Sequence, residues 1–119
     1  MLTVYGLKNC DTCRKALKWL ETEGITHSFH DVRADGIKPS DIRRFAQAVG
    51  WENLLNKAST TWRGLPGSET ANTGEAEALK LMAAHPALIK RPVFDMGSGA
   101  VVVGFRDPQK AALKKAGRK

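Results

Sequence analysis

Two cysteines stand three residues apart in Cys10-Asp11-Thr12-Cys13, and the 119-residue chain has no others. Thiols at that spacing suit thiol–disulfide exchange, or half of a metal site. A bridge closing so short a loop would restrain the unfolded chain weakly, so chemistry explains the pair better than stability does. The apolar run Leu2-Thr3-Val4-Tyr5, ending at Gly6, reads as a strand. From Asp11 to about Glu23 the pattern is helical, with Cys13, Ala16, Leu17 and Leu20 on one face. Cys10 therefore falls at a helix N-terminus. Unpaired backbone N–H groups and the positive end of the helix dipole stabilise a thiolate there. Lys8 and Arg14 add positive charge, and Asn9 and Asp11 offer cap chemistry. Each unit by which the thiol pKa falls favours the thiolate by about 1.4 kcal/mol. Cys10 is the candidate nucleophile. Cys13 lies one turn further, on the buried face, shielded and within reach of Cys10 as a resolving thiol.

The rival chemistry is zinc, because His27 and His30 follow the cysteines. Finger histidines sit on a helix with three to five residues between them. Here Ser28 and Phe29 alone intervene, in a stretch that reads as a strand, where residues three apart point to opposite faces. No metal site is expected.

The elements around the pair follow from pattern. Gly24 suits a helix C′ position, and Ile25 to Val32 reads as a second strand. Strand–helix–strand of this length implies a parallel βαβ unit. Helices are expected in a segment opened by Pro39-Ser40-Asp41, carrying Ile42, Phe45, Ala46 and Val49 and closed by Gly50, then in short turns at Trp51–Leu55 and Thr60–Gly64. Gly67 to Gly74 reads as a polar loop. Glu75 to His85 reads as a helix with Ala78, Leu79, Met82 and Ala83 inside, stopped by Pro86. Val93-Phe94-Asp95 and Ala100 to Gly104, around Gly97-Ser98-Gly99, make a hairpin, and Asp107-Pro108 opens a last helix to about Lys115. A βαβ unit and a ββα unit sharing one sheet make a thioredoxin-like α/β fold. Residues 1–119 are read as one such domain, with a helical insertion at about 36–90. Trp19, Trp51 and Trp62 read as packing residues. His85, at a helix end, reads as a cap for carbonyls.

Two cysteines are too few for a secreted disulfide scaffold. The opening residues Met1 to Lys8 lack a charged start and a long apolar stretch, so they read as mature structure rather than a signal peptide, and a cytoplasmic location is expected. No apolar run approaches the ~20 residues of a membrane span. The net charge is +7, but Lys110, Lys114, Lys115, Arg118 and Lys119 crowd the last ten residues; without them fourteen basic residues face twelve acidic ones, a net of +2. The excess is a solvated tail rather than a nucleic-acid surface.

Tyr5-Gly6-Leu7-Lys8-Asn9-Cys10-Asp11-Thr12 resembles the opening of the arsenate reductase (ArsC)-related family, in particular its YffB-like branch. Thr60-Thr61-Trp62-Arg63, His85 to Val93 and Val103-Gly104-Phe105-Arg106 resemble later blocks of the family, in the same order. The resemblance spans nearly the whole chain and implies a thioredoxin-like fold with a helical insertion. It implies that Arg63, Arg91 and Arg106 bind the anionic part of a substrate or glutathione, with forked donors suited to oxyanions and carboxylates. Lys8, Asn9 and Pro92 complete the expected binding residues, and Arg91-Pro92-Val93 resembles the cis-proline segment of thioredoxin-like folds. Arsenate reductases of this type carry a histidine where this chain has Gly6, and lack its Asn9 and Asp11. Many YffB-like proteins lack a cysteine at position 13, whereas Spx-type regulators have one.

Three readings stand. The first is glutathione-dependent thiol–disulfide reduction by Cys10, with glutathione as co-substrate, a disulfide or oxyanion substrate and no tightly bound cofactor. The second is glutathione-linked arsenate reduction. The third is an Spx-type redox-switched regulator that binds RNA polymerase.

Overall fold

The computed structural model describes residues 2–71, 73–97 and 99–117. Arg118 and Lys119 of the basic tail, and Ser98 of the glycine turn, lie outside the described residues. In chain order the elements are β1 (Leu2–Gly6), α1 (Asp11–Thr22), β2 (His27–Asp31), α2 (Pro39–Val49), α3 (Trp51–Leu54), α4 (Thr60–Arg63), α5 (Gly67–Thr70), α6 (Glu75–Ala84), a 3-10 turn at Pro86–Leu88, β3 (Val93–Asp95), β4 (Val101–Val103) and α7 (Asp107–Gly117). The chain forms two compact units, one of Met1–Asp35 with Arg91–Lys119 and one of Gly36–Lys90.

The first unit is built on a four-stranded sheet of order β2-β1-β3-β4. β1 pairs in parallel with β2 and antiparallel with β3, and β3 pairs antiparallel with β4. This is the βαβ plus ββα arrangement read from the sequence. Alternation along β1 buries Leu2, Val4 and Gly6. Leu2 and Val4 join Ala16 and Leu20 of α1, Phe94 of β3 and Leu113 of α7 in one core cluster. Trp19 packs edge-on against Phe105, ring centroids 5.6 Å apart. The end of α1 closes as a Schellman motif: Gly24 N–H bonds Glu21 O at 3.1 Å, Ile25 N–H bonds Leu20 O at 3.0 Å, and Gly24 takes a φ of +70°. That closure uses the Ile25 amide, so β2 begins at His27 rather than Ile25.

In the second unit Ile42, Phe45 and Ala46 of α2, Leu54 of α3, Ala78 and Met82 of α6, and Leu55, Leu88 and Ile89 are buried. An antiparallel bridge joins Leu55 to Ile89. Two expectations change. The polar stretch after Pro66 is not all loop, because Gly67–Thr70 closes one helical turn through Ala71 N–H to Gly67 O at 2.9 Å; four residues are too few to show a period. Leu79 and Ala83 are half-exposed rather than inside. With Pro39, Arg43, Ala76, Lys80 and Ala84 they line an open trough of about 590 Å³. Among the described residues no helix is long and apolar enough to cross a membrane.

Leu20 is fully buried. Leu20→Ala should therefore cost about 2–5 kcal/mol in urea unfolding; a loss well under 1 kcal/mol would show that α1 is not held by this core.

Candidate active site at the start of the first helix

The segment carrying Cys10 is a tight turn between β1 and α1. Cys10 N–H bonds Leu7 O at 3.1 Å, which closes a β-turn over Leu7 to Cys10. Arg14 N–H bonds Cys10 O at 3.0 Å, the first bond of the helix. Cys10 is thus the N-cap residue itself, with extended backbone (φ −90°, ψ 118°), and neither Asn9 nor Asp11 caps the helix. Its side chain makes no hydrogen bond of full cap geometry. It nevertheless sits where a side chain meets the free amides of the first turn. Cys10 is half-buried and Cys13 fully buried, and both are free thiols.

The two thiols are displaced in opposite directions. Partial burial pushes Cys10 up, but the Cys13 N–H, the Cys13 thiol and the Arg91 guanidinium outweigh it, so Cys10 ends below the ordinary cysteine value. Burial pushes Cys13 up to about 11; the Leu7 N–H opposes it, the hydrogen bond and charge of Cys10 add to it, and Arg91 opposes it least. One sulfur is poised as a thiolate. The other keeps its proton and can donate it in a hydrogen bond to the first.

Gly6 completes this packing. A Cβ built at Gly6 would lie 2.6 Å from Cys13 Sγ and 3.5 Å from Phe29 Cε1. The last residue of β1 must lack a side chain because the Cys13 sulfur occupies that space. A side chain at position 6 would therefore have to displace the Cys13 sulfur.

The structure brings Cys10, Cys13 and Arg91 together. Arg91 supplies the positive charge that the sequence reading places on Lys8 and Arg14. Instead, Lys8 is exposed and its backbone N–H bonds Asp31 Oδ2 at 3.1 Å. Arg14 pairs with Asp11 at 3.5 Å on the surface. Asn9 is exposed in the turn. The Arg91–Pro92 bond is cis, Pro92 is buried, and its carbonyl accepts Gly104 N–H at 2.9 Å. Arg106 is exposed, with its N–H on Gln109 Oε1 at 3.0 Å. Arg63 belongs to the second unit, in the last turn of α4, whose N-cap Ser59 Oγ accepts Trp62 N–H at 3.1 Å. In the same unit His85 is the C-cap residue of α6, through its own N–H to Leu81 O at 2.8 Å. The ring of His27 bonds Ile25 O at 2.8 Å, and that of His30 packs at a 49° tilt against Tyr5 with centroids 5.0 Å apart. Among the described residues no three His, Cys, Asp or Glu side chains gather as a metal site. The contact of Arg91 with Cys10 carries no local sequence signal, since the two residues meet only through the pairing of β1 with β3.

Comparison with known proteins places this geometry in a family. The sequence model of the ArsC family matches residues 5–113. A solved YffB protein superposes with a TM-score of 0.89 at 41% identity, covering 95% of this chain and 98% of its own. An arsenate reductase (ArsC) related protein from Brucella melitensis is 45% identical, with a TM-score of 0.75 and coverage of 93% and 92%. A Haemophilus influenzae protein is 42% identical over 92% of this chain and 95% of its own length. The global transcriptional regulator Spx 2 of Lactococcus lactis is 24% identical over 92% of this chain and 83% of its own length.

Two outcomes follow from the thiol geometry. Gly6→Ala should cost about 1–3 kcal/mol in the native background, from overpacking. Most of that cost should disappear in a Cys13→Ala background; equal costs in both would refute the shared space. The second outcome concerns pH. Unfolded cysteine loses its proton near ~8.5, whereas folded Cys13 keeps its own to about 11. Between those values the unfolded state binds fewer protons, so the stability due to Cys13 is present below the window and falls as pH rises through it. The stability difference between the native chain and Cys13→Ala should decline across that range; a flat difference would contradict the displaced thiol.

Proposed function

The chain belongs to the ArsC family, and on that premise we propose that it is a cytoplasmic oxidoreductase that carries out glutathione-dependent thiol–disulfide exchange through Cys10. The observation that carries this reading is the placement of the two thiols, Cys10 half-buried as the N-cap of α1 beside Arg91 and Cys13 fully buried one turn on, with their ionisation displaced in opposite directions. With a glutathione mixed disulfide as substrate, the Cys10 thiolate attacks the glutathionyl sulfur. The substrate sulfur leaves as thiolate, and Cys10 carries glutathione. A second glutathione thiolate then attacks that glutathionyl sulfur, which frees Cys10 and yields oxidised glutathione. In the dithiol variant Cys13 attacks Cys10 sulfur, its proton passes to the departing thiolate, and the Cys10–Cys13 disulfide is reduced by two glutathione thiols.

Arg91 enters this proposal on geometry, as the cation beside the thiolate and the anchor for an anionic group. Arg63, Arg106 and Pro92 enter it on the family resemblance, and Lys8 and Asn9 on their place beside Cys10 in the sequence. In this reading residues 36–90 are an insertion in a single thioredoxin-like domain. Arsenate reduction by the same thiol is the second reading, favoured by the likeness to the Brucella melitensis protein. The redox-switched regulator is the third, favoured by the Cys-x-x-Cys pair and by the Lactococcus lactis relative.

Cys10→Ser should reduce glutathione-dependent reduction of a mixed-disulfide substrate to background, while Cys13→Ser keeps a monothiol rate. Full activity of Cys10→Ser would end the proposal. Arsenate-dependent oxidation of glutathione would move weight to the second reading. A redox-dependent complex with the C-terminal domain of the polymerase alpha subunit would move it to the third.

A further inference from the structure

Asp31 is a buried carboxylate, 6% exposed, that the chemistry above does not use. It ends β2, in register with Gly6 at the end of the parallel strand β1. Val32 N–H bonds Gly6 O at 2.9 Å and closes the same end of the pair. Asp31 Oδ1 accepts Arg33 N–H at 2.8 Å and Ala34 N–H at 2.9 Å, which suffices to close the turn after β2. Its other oxygen leaves that turn. Oδ2 accepts Lys8 N–H at 3.1 Å, two residues before the nucleophile. The N–H groups of Ala34 and Lys8 chiefly, against a smaller cost of burial and with the Arg33 N–H and the Lys8 charge, hold the carboxyl below the usual carboxylate range.

We propose that Asp31 is a positioning residue for Cys10: by gripping the Lys8 amide it fixes the Leu7–Cys10 turn, and so keeps the sulfur at the Cys13 N–H and beside Arg91. Among the described residues the three hydrogen-bond partners of the carboxylate are backbone amides, so the grip is made by Asp31 on the main chain, and the Lys8 side chain adds only its charge. The inference rests on Cys10 being the reacting thiol.

The test is the pH profile of Cys10 alkylation by iodoacetamide, read by mass spectrometry on the full chain. D31N keeps an acceptor for Arg33 and Ala34 but turns an amide N–H2 toward Lys8 N–H, donor against donor. Lys8→Pro deletes the N–H at the second position of the turn, where proline is favoured. Lys8→Ala removes the ammonium and keeps the N–H, so the difference between the two Lys8 variants isolates the tether. The expected result is an inflection raised by about half to one unit in D31N, and in Lys8→Pro relative to Lys8→Ala, with the rate near neutral pH down ~3–10-fold. An unchanged inflection in D31N, or equal inflections in the two Lys8 variants, would reduce Asp31 to a turn-former. If D31N fails to fold, the Lys8 pair decides alone. An ordinary cysteine inflection in the native chain would overturn the nucleophile assignment, and the positioning role with it.

Discussion

A negative charge on Cys10 is tolerable because several donors share it, and the architecture around the site follows from supplying them. The Cys13 amide comes from the first turn of α1, the Cys13 thiol from the face of α1 turned into the core, and the Arg91 guanidinium from the segment that enters β3. None of these would be enough alone against partial burial. Together they place the thiolate on the half-buried sulfur and the proton on the fully buried one.

The sheet of the first unit serves this division. The parallel pairing of β1 with β2 brings the end of β1 level with Asp31. The antiparallel pairing of β1 with β3 brings Arg91 to the same end from far along the chain. The glycine that ends β1 leaves room for a sulfur where another strand residue would put a side chain. The core under α1, built on Leu2, Val4, Ala16, Leu20, Phe94 and Leu113, fixes the helix so that its first turn is available for chemistry.

Much of the fold was legible because its signals are local. The apolar run at Leu2–Tyr5, the helical spacing of Cys13, Ala16 and Leu20, the glycine at position 24 and the glycine-flanked turn before β4 each announce an element within a few residues. The helical turn at Gly67–Thr70 was not legible, since one polar turn has no period. Leu79 and Ala83 were misread because helical spacing shows which residues share a face but not what that face meets. At the site, the placement of Cys10 at a helix start and the burial of Cys13 were legible from spacing. The source of positive charge was not. Lys8 and Arg14 are near in sequence but engage Asp31 and Asp11, whereas Arg91 arrives through strand pairing. Asp31 escaped notice because its partners are backbone amides, which every residue has.

The central claim is that two thiols three residues apart ionise far from each other, and the direct measurement is a titration of thiolate absorbance in the reduced native chain, beside Cys10→Ser and Cys13→Ser. The account predicts two separated steps: one below the ordinary cysteine value, missing in Cys10→Ser, and one near 11, missing in Cys13→Ser. Two steps together at ~8.5, the value of a free cysteine, would contradict it.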